Sequence, residues 1–448
     1  MKTHRILIWA IVLALLLSSR AVTEVMYNVT DLGKGSATAI SDNGQIVGHC
    51  GSRAMLFDPT GDGNNIMLDN QEGVISYALS INNDGQAVGN IEPAPGESRA
   101  VIFDPTGEGN HTYLSTPSGF SSCAYSINNN GQIVGYVKSG PSTPPEEFVY
   151  VATLFDSTSG DDITYLGPML PRIGSAALSI NDNGQIVGYC RGHATLFDPT
   201  GDGNNIDLGT LENRPGVANS INNSGQIVGA AHGMIGGSPL AILFDPTGKG
   251  NNIAMGGGAA KSINDDGEIV GLALYMIAPM RHYAVLFDAT GEGNNVDLNT
   301  LIDPNLGWEL SSAECINDKG WIVGGGSHAY LLKPILAAIE AEIDINPGML
   351  NLRSKGKWIT CHIRLSEDYN VADIDPNSVL LGEQIAADLI ELEGQAAMAK
   401  FIRSELQEML ADLDTLGEVE LLVSGELIDG TKFEGTDTIN VIDKGNKK

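Results

Sequence analysis

A chain of 448 residues is too long for one ordinary hydrophobic core, so two or more domains are expected. With 55 glycines, 6% aromatic and 18% charged residues, the composition suits short strands joined by tight turns and argues against long charged helices. The 55 Asp and Glu against 25 Lys and Arg leave a formal charge of −30, which argues against nucleic acid, whose affinity comes mainly from basic side chains on phosphates, and fits a soluble protein, divalent cations or a salty habitat.

The first residues read as a secretory signal, 1–21. Lys2, His4 and Arg5 form a basic start, Ile6 to Leu17 is an apolar run too short for a comfortable membrane span, and Ser19-Arg20-Ala21 offers cleavage after Ala21. No Cys follows the apolar run, so a lipid anchor is not expected, and no later stretch is long and apolar enough to span a bilayer. The mature chain is expected to be exported, extracellular or in the cell envelope, monomeric, and without a transmembrane segment.

From residue 22 to 334 one phrase dominates. Ser-Ile-Asn-x-x-Gly-Gln-Ile-Val-Gly recurs with small changes, its first Ile falling at Ile40, Ile81, Ile127, Ile180, Ile221, Ile263 and Ile316. Spacings of about 41 to 53 residues match propeller blades. A second phrase, Leu-Phe-Asp-Pro-Thr-Gly-Asp-Gly-Asn-Asn-Ile, follows each of the first six and is clearest at Leu56 to Ile66 and Leu196 to Ile206. Each unit reads as four strands. In repeat four these are Ala177 to Ile180, Gln185 to Tyr189, His193 to Phe197 and Asn205 to Leu208, separated by turns rich in Asn and Gly, which tolerate positive φ.

The seventh unit stops at Lys333-Pro334 without its fourth strand. Tyr27 to Gly33 resembles Asn204 to Gly209, so the first strand of the mature chain is expected to complete the last unit. The expectation is therefore an all-β chain: a seven-bladed β-propeller of four-stranded blades closed by the N-terminal strand. The phrases resemble the extracellular HAF repeat family of bacteria and archaea. The His-Ala of its third strand stands here as His193-Ala194 and His328-Ala329, but as Arg53-Ala54 and Arg99-Ala100 in two other repeats. The resemblance covers about Tyr27 to Pro334. It implies a secreted propeller-like protein and brings no catalytic residues with it.

Residues 335–448 follow a different pattern. Strands are expected at Trp358 to Leu365, Ser378 to Leu381, Glu418 to Ser424 and Thr436 to Ile442, with one helix at Ala396 to Leu413, where Met398, Phe401, Ile402, Leu406, Met409, Leu410 and Leu413 recur at helical spacing. Ile343 to Pro347, Asn351 to Gly356 and Gly425 to Thr431 resemble the small β-sandwich-like module at the ends of many exported prokaryotic proteins, which implies attachment without chemistry; a plain structural cap is the alternative.

Five cysteines, Cys50, Cys123, Cys190, Cys315 and Cys361, are too few and too scattered for a disulfide framework and read as buried free thiols. In the Asp-Pro-Thr-Gly-x-Gly-Asn loops, Asp58, Asp62 and Asn64, or Asp198, Asp202 and Asn204, could offer oxygens to calcium. Lys249 in repeat five and the short Ser157 to Asp161 in repeat three favour turn formation instead, and no other cofactor is called for. Asn82, Asn128, Asn181, Asn222, Asn264 and Asn317 read as turn residues. His193 and His328 are expected to hydrogen-bond between blades.

No His-Glu-x-x-His, phosphate-binding Gly-Lys-Ser/Thr or Gly-x-Ser-x-Gly occurs. Two sets of connections hold nearly constant length, and the other two vary, which assigns them to opposite faces. The variable loops carry Phe148, Tyr150, Arg172, Arg214, Tyr275, Arg281, His282 and Trp308. Aromatics and Arg on loops of a rigid scaffold suit a glycan or protein ligand. The preferred reading is a non-enzymatic secreted binding or surface-associated protein. An exported polysaccharide hydrolase or lyase, and a structural salt-adapted envelope protein, stand beside it.

Overall fold

The computed structural model describes residues 26–443 apart from residues 70, 72, 95, 140–148, 156–162, 169–173, 210–213, 232–237, 276–280, 336–337, 367–368, 413–415 and 429. The expected signal segment lies outside the described residues. Contacts divide the chain into two units, Met1–Pro334 and Ile335–Lys448.

In the first unit each repeat contributes short antiparallel strands. Those of repeat four are Ser175–Ile180, Ile186–Cys190, His193–Phe197 and Ile206–Asp207, paired in that order. The Ile-Val pair explains how the repeats cohere. Ile186 and Val187 point to opposite faces of the same strand, and both are wholly buried. Ile186 shares a core with Val134 of repeat three, whereas Val187 shares one with Ile227 of repeat five. Every sheet is thus covered on both faces, and each buried aliphatic contributes about 1.5–3 kcal/mol.

The Ser-Ile-Asn phrase makes polar joints between repeats as well as turns. Asn181 Oδ1 accepts the Gln185 amide and its Nδ2 donates to Gln185 Oε1, which shapes its own turn. The same Nδ2 donates to the Asn222 carbonyl of the next repeat at 2.8 Å. The preceding Ser179 Oγ accepts the Ile221 amide, also in the next repeat. The residue after the Asn extends the pattern: each of its backbone amides donates to the side-chain Oδ1 of its counterpart one repeat on. The series runs Asp42 to Asn83, Asn129, Asp182, Asn223, Asp265 and Asp318, and Asp318 donates to Asp42 Oδ1 at 3.0 Å, completing a cycle. All seven turns line one polar hollow of about 200 Å³.

The expected seven-bladed propeller of separate four-stranded blades, closed by the N-terminal strand, is not the layout of the sheets. Among the described residues of this unit, three sheets have four strands, one has six and one has seven, and none closes on itself. The physical reason is strand continuity. Met26–Ile40 runs 15 residues and Ile253–Ile263 runs 11, each passing from one repeat into the next without a loop. Gly33, Gly35, Gly256 and Gly258, all at positive φ, carry the backbone through the junctions. The N-terminal segment is therefore the leading half of a long strand that lies between Ile322–Ile335 and Ile46–Cys50, and the hydrogen bonds from Asn317 and Asp318 to Ser41 and Asp42 join the same two repeats.

Each first strand also carries one β-bulge. Pairing slips between Ala37 and Ala39, and likewise around Leu79, Tyr125, Leu178, Asn219, Lys261 and Glu314. The bulge pushes a carbonyl oxygen toward the neighbouring strand, into the space a Cβ would fill at the final Gly of Ile-Val-Gly. A Cβ on Gly188 would collide with the Ala176 carbonyl, and one on Gly135 with that of Cys123. This contact explains why that position is glycine in all seven repeats.

The second unit packs the sheet containing Glu342–Asn346, Trp358–Arg364, Ala396–Ile402 and Leu389–Glu393 and the sheet containing Gly417–Glu426 and Lys432–Ile442 on one core that includes Ile345, Ile359, Phe401, Val423 and Phe433. The expected helix over 396–413 divides. Ala396–Ile402 is a strand and only Arg403–Asp412 is helical. Ala397, Ala399 and Phe401 are buried while Met398, Lys400 and Ile402 are half-buried, a period of two that fits pairing with Trp358–Arg364. All five cysteines are free; Cys123 and Cys361 are buried, but Cys50, Cys190 and Cys315 only partly so. Burial pushes the Cys123 and Cys361 thiols up to about 12.

Gly188→Ala should lower stability by roughly 1–3 kcal/mol in urea denaturation, the range for overpacking. Gly174→Ala, where a Cβ meets nothing within 4 Å, is the control and should change little. Equal effects of the two would remove the bulge explanation.

Burial, then the carboxylates of Asp42, Asp265 and Asp266, raise the Asp318 carboxyl above its ordinary range. A group raised by folding adds stability that is full below the ordinary carboxylate value and is lost as pH rises through the folded value. Asp318→Asn keeps an Oδ1 for the Asp265 amide. It should raise the melting temperature at neutral pH, with the gain shrinking as pH falls below the carboxylate range.

Candidate functional site

The seven bulged residues are Thr38, Leu79, Tyr125, Leu178, Asn219, Lys261 and Glu314. The backbone that presents them is uniform: an Ala precedes each one, from Ala37 to Ala313, and every one of these alanines is wholly buried. The bulged side chains themselves are all half-buried and all different in chemistry except the two leucines. A β-bulge re-aims a side chain out of the regular alternation. Several reach toward the following repeat. Thr38 Oγ1 donates to the Ala78 carbonyl at 2.7 Å, Asn219 Nδ2 to the Ala260 carbonyl at 2.8 Å, and Lys261 Nζ lies 3.4 Å from Glu314 Oε2. Each bulged residue lies a few residues before the turn of its repeat that lines the common hollow.

The cycle of repeats has two chemically distinct arcs. Repeats five to seven present Asn219, Lys261 and Glu314. Around repeat three the arc is aromatic: Tyr125 and Tyr136 have ring centres 5.6 Å apart, Tyr136 and Tyr150 5.2 Å, and Lys138 Nζ lies 5.5 Å from the Tyr150 ring centre. Tyr189 of repeat four is close enough to act electrostatically on Tyr125 and Tyr136. Burial raises the hydroxyls of Tyr125, Tyr136 and Tyr189 above the ordinary phenol range, so all three stay neutral donors at physiological pH. On the neighbouring repeats His49 packs edge-on against Tyr77 at 5.2 Å.

A second cluster lies where the Trp308 loop meets the last third strand. Trp308 packs near-perpendicular to His328 at 6.4 Å and to Tyr330 at 6.3 Å. His328 Nδ1 is 2.9 Å from Asp31 Oδ2, and Arg281 Nη1 donates to Glu309 Oε1 at 3.0 Å. Asp31, Glu309, Trp308, His328 and Tyr330 line a cleft of about 460 Å³. His193 makes the equivalent contact with Asp207 at 2.8 Å, in a cleft of about 580 Å³. Both histidines therefore bond an Asp on the adjoining strand of their own sheet, in place of the expected bond between blades.

The ligand-binding residues proposed from sequence divide between these places. Tyr150 joins the tyrosine cluster, and Arg281 and Trp308 meet through Glu309. Arg214 donates to the Ser238 carbonyl at 3.4 Å, in repeat five. His282 is exposed on Arg281–Phe287, and Tyr275 ends Ile269–Tyr275, paired in register with Arg281. Arg172 and Phe148 lie outside the described residues. Tyr77, Tyr125, Tyr136, Tyr189, Lys261 and Glu314 were missed because they sit on strands. For Tyr125, Lys261 and Glu314 the signal was a variable position between the constant Ala and the Ser-Ile-Asn phrase, and for Tyr136 and Tyr189 the variable position after Ile-Val-Gly.

In the Asp-Pro-Thr-Gly loops the carboxylate organises its own turn. Asp58 Oδ1 accepts from the amide and hydroxyl of Thr60, and Oδ2 from the amide and Nδ2 of Asn64. Asp198 does the same with Thr200 and Asn204. Asp62 and Asp202 are exposed and give only backbone amides to Thr60 and Thr200. Among the described residues no group of three or more His, Cys, Asp or Glu is placed to hold a metal. The second Asn of the loop ties repeats together, as Asn205 Nδ2 donates to the Leu166 carbonyl.

No family model matches the chain, and no curated protein matches it. Among solved structures it is similar to an extracellular domain assigned to a one-component system of B. thetaiotaomicron (10% identity, TM-score 0.39), with 77% of this chain and 46% of that one covered. The chain thus spans less than half the length of that structure, and likeness at this level leaves the site to be read from its own geometry. No described helix is long and apolar enough to cross a membrane.

Two outcomes follow for the Asp loops. A chelator should leave the melting temperature unchanged, since both carboxylate oxygens are already bonded within the turn. The hydrogen bonds from Thr200 and Thr247, with smaller help from Asn204 and Asn251, hold Asp198 and Asp245 down to about 2. A lowered carboxyl gives stability that is present above the ordinary value and lost as pH falls toward 2. Asp198→Asn should therefore flatten the acid limb of a melting-temperature profile.

Proposed function

We propose that this protein is a non-enzymatic extracellular binding protein whose ligand, a glycan or a protein, is held at the bulged residues and the variable loops above them. The observation that carries this reading is a constant backbone presenting seven positions of differing chemistry. The bulge frees this position from core packing, and the repeats fill it with Thr, Leu, Tyr, Leu, Asn, Lys and Glu, a spread of chemistries that suits ligand contact. Tyrosines offer broad apolar faces with a hydroxyl at the rim, suited to sugar rings and to peptide segments. The Lys261–Glu314 arc opposite supplies charge and orientation. Export, and the resemblance of the phrases to the extracellular HAF repeat family, are consistent with an extracellular ligand.

The test is a screen of the purified chain against glycan and protein arrays, with turnover followed on each ligand bound. Tyr125→Ala combined with Tyr136→Ala should weaken binding about ten-fold or more, as expected for lost aromatic anchors. Lys261→Ala should change selectivity among ligands. Release of cleaved product by the wild-type chain would favour the hydrolase or lyase reading instead. Absence of any ligand would favour the structural envelope role.

A further inference from the structure

We propose that the cleft at Trp308 is a subsite for a neutral saccharide unit, separate from the bulged residues. This rests on the reading of the chain as a binding protein and adds a ligand class at a second place. The aromatic wall comes first. Trp308 is half-buried and fixed by near-perpendicular contacts with His328 and Tyr330, so its orientation is set before a ligand arrives. A held indole lining a cleft offers an apolar surface for the C–H face of a pyranose ring.

The charges decide the kind of ligand. Asp31 faces His328, and Glu309 faces Arg281, each pair joined by hydrogen bonds. Arg281 opposes Glu309, and two carboxylates beside the cleft disfavour an anionic ligand. Yet a carboxylate has about four lone-pair positions, so Asp31 and Glu309 keep acceptor capacity after bonding these partners. Acceptors with spare lone pairs beside an apolar plate match a polyol, which brings hydroxyl donors and no charge. The volume of about 460 Å³ lies within the roughly 300–1,000 Å³ of small-molecule sites.

The experiment uses the full mature chain. Neutral oligosaccharides on an array, then calorimetry with the best binder, compare wild type with Trp308→Ala, Trp308→Phe and Glu309→Gln. Loss of one aromatic anchor should weaken binding about ten-fold in Trp308→Ala, with Trp308→Phe intermediate and Glu309→Gln weaker than wild type. If Trp308→Ala fails to fold by thermal melting, the other two carry the test. Gly174→Ala, where an added Cβ meets nothing within 4 Å, should leave this affinity unchanged. Unchanged affinity in the cleft variants, or no neutral oligosaccharide bound by wild type, overturns the subsite. If ligand is lost only in the tyrosine variants, the broader binding function stands and the Trp308 proposal falls.

Discussion

The first unit depends on a cycle of seven hydrogen bonds in which each repeat gives a backbone amide to an Asn or Asp side chain of the next. Each such bond is worth only about 1 kcal/mol on its own. Their effect lies in position. They sit at the narrow inner end, where the seven first strands converge, and the bond from Asp318 to Asp42 joins the last repeat to the first. This link across 276 residues ties the last repeat to the first, beside the sheet in which Met26–Ile40 lies between Ile322–Ile335 and Ile46–Cys50.

That inner end is polar for a reason. Seven turns packed around one small hollow bring seven backbone amides together, and each has an acceptor on the next repeat. Asn and Asp side chains provide it. The composition of the ring is a compromise: Asn83, Asn129 and Asn223 separate some of the aspartates, but Asp265, Asp318 and Asp42 are consecutive. Their carboxylates crowd one arc, and the middle one, Asp318, is raised by burial first and then by these neighbours.

The bulge adds the second constraint. It forces glycine at one position and small alanine at another, and in return it turns the intervening side chain out of the core. Freed from packing, that side chain is open to vary, and it does: Thr, Leu, Tyr, Leu, Asn, Lys and Glu in chain order. Rigid surroundings and a variable tip are the combination from which binding surfaces are made. The tyrosine cluster includes one bulged residue, Tyr125, on its strand, whereas the Trp308 cleft presents its aromatic from a loop.

The repeat, its strand content and the second unit's different pattern were legible in the amino-acid sequence, because alternating apolar residues and Asn-Gly turns report local geometry. The strand at His193–Phe197 matched to the residue. The division of Ala396–Leu413 into strand and helix was not legible, since Ala, Met and Phe suit either and only pairing with Trp358–Arg364 decides. Nor was the joining of repeats into longer sheets, which depends on glycines keeping a strand extended through a junction. By itself the sequence determined which residues recur and hence where the turns and cores lie. Only the tertiary structure decided what the recurring Asn and Ser hold together, because their partners in neighbouring repeats lie 41 to 276 residues away. It alone drew Tyr125 to Tyr136 and Trp308 to His328, because such contacts depend on how strands are brought together in space.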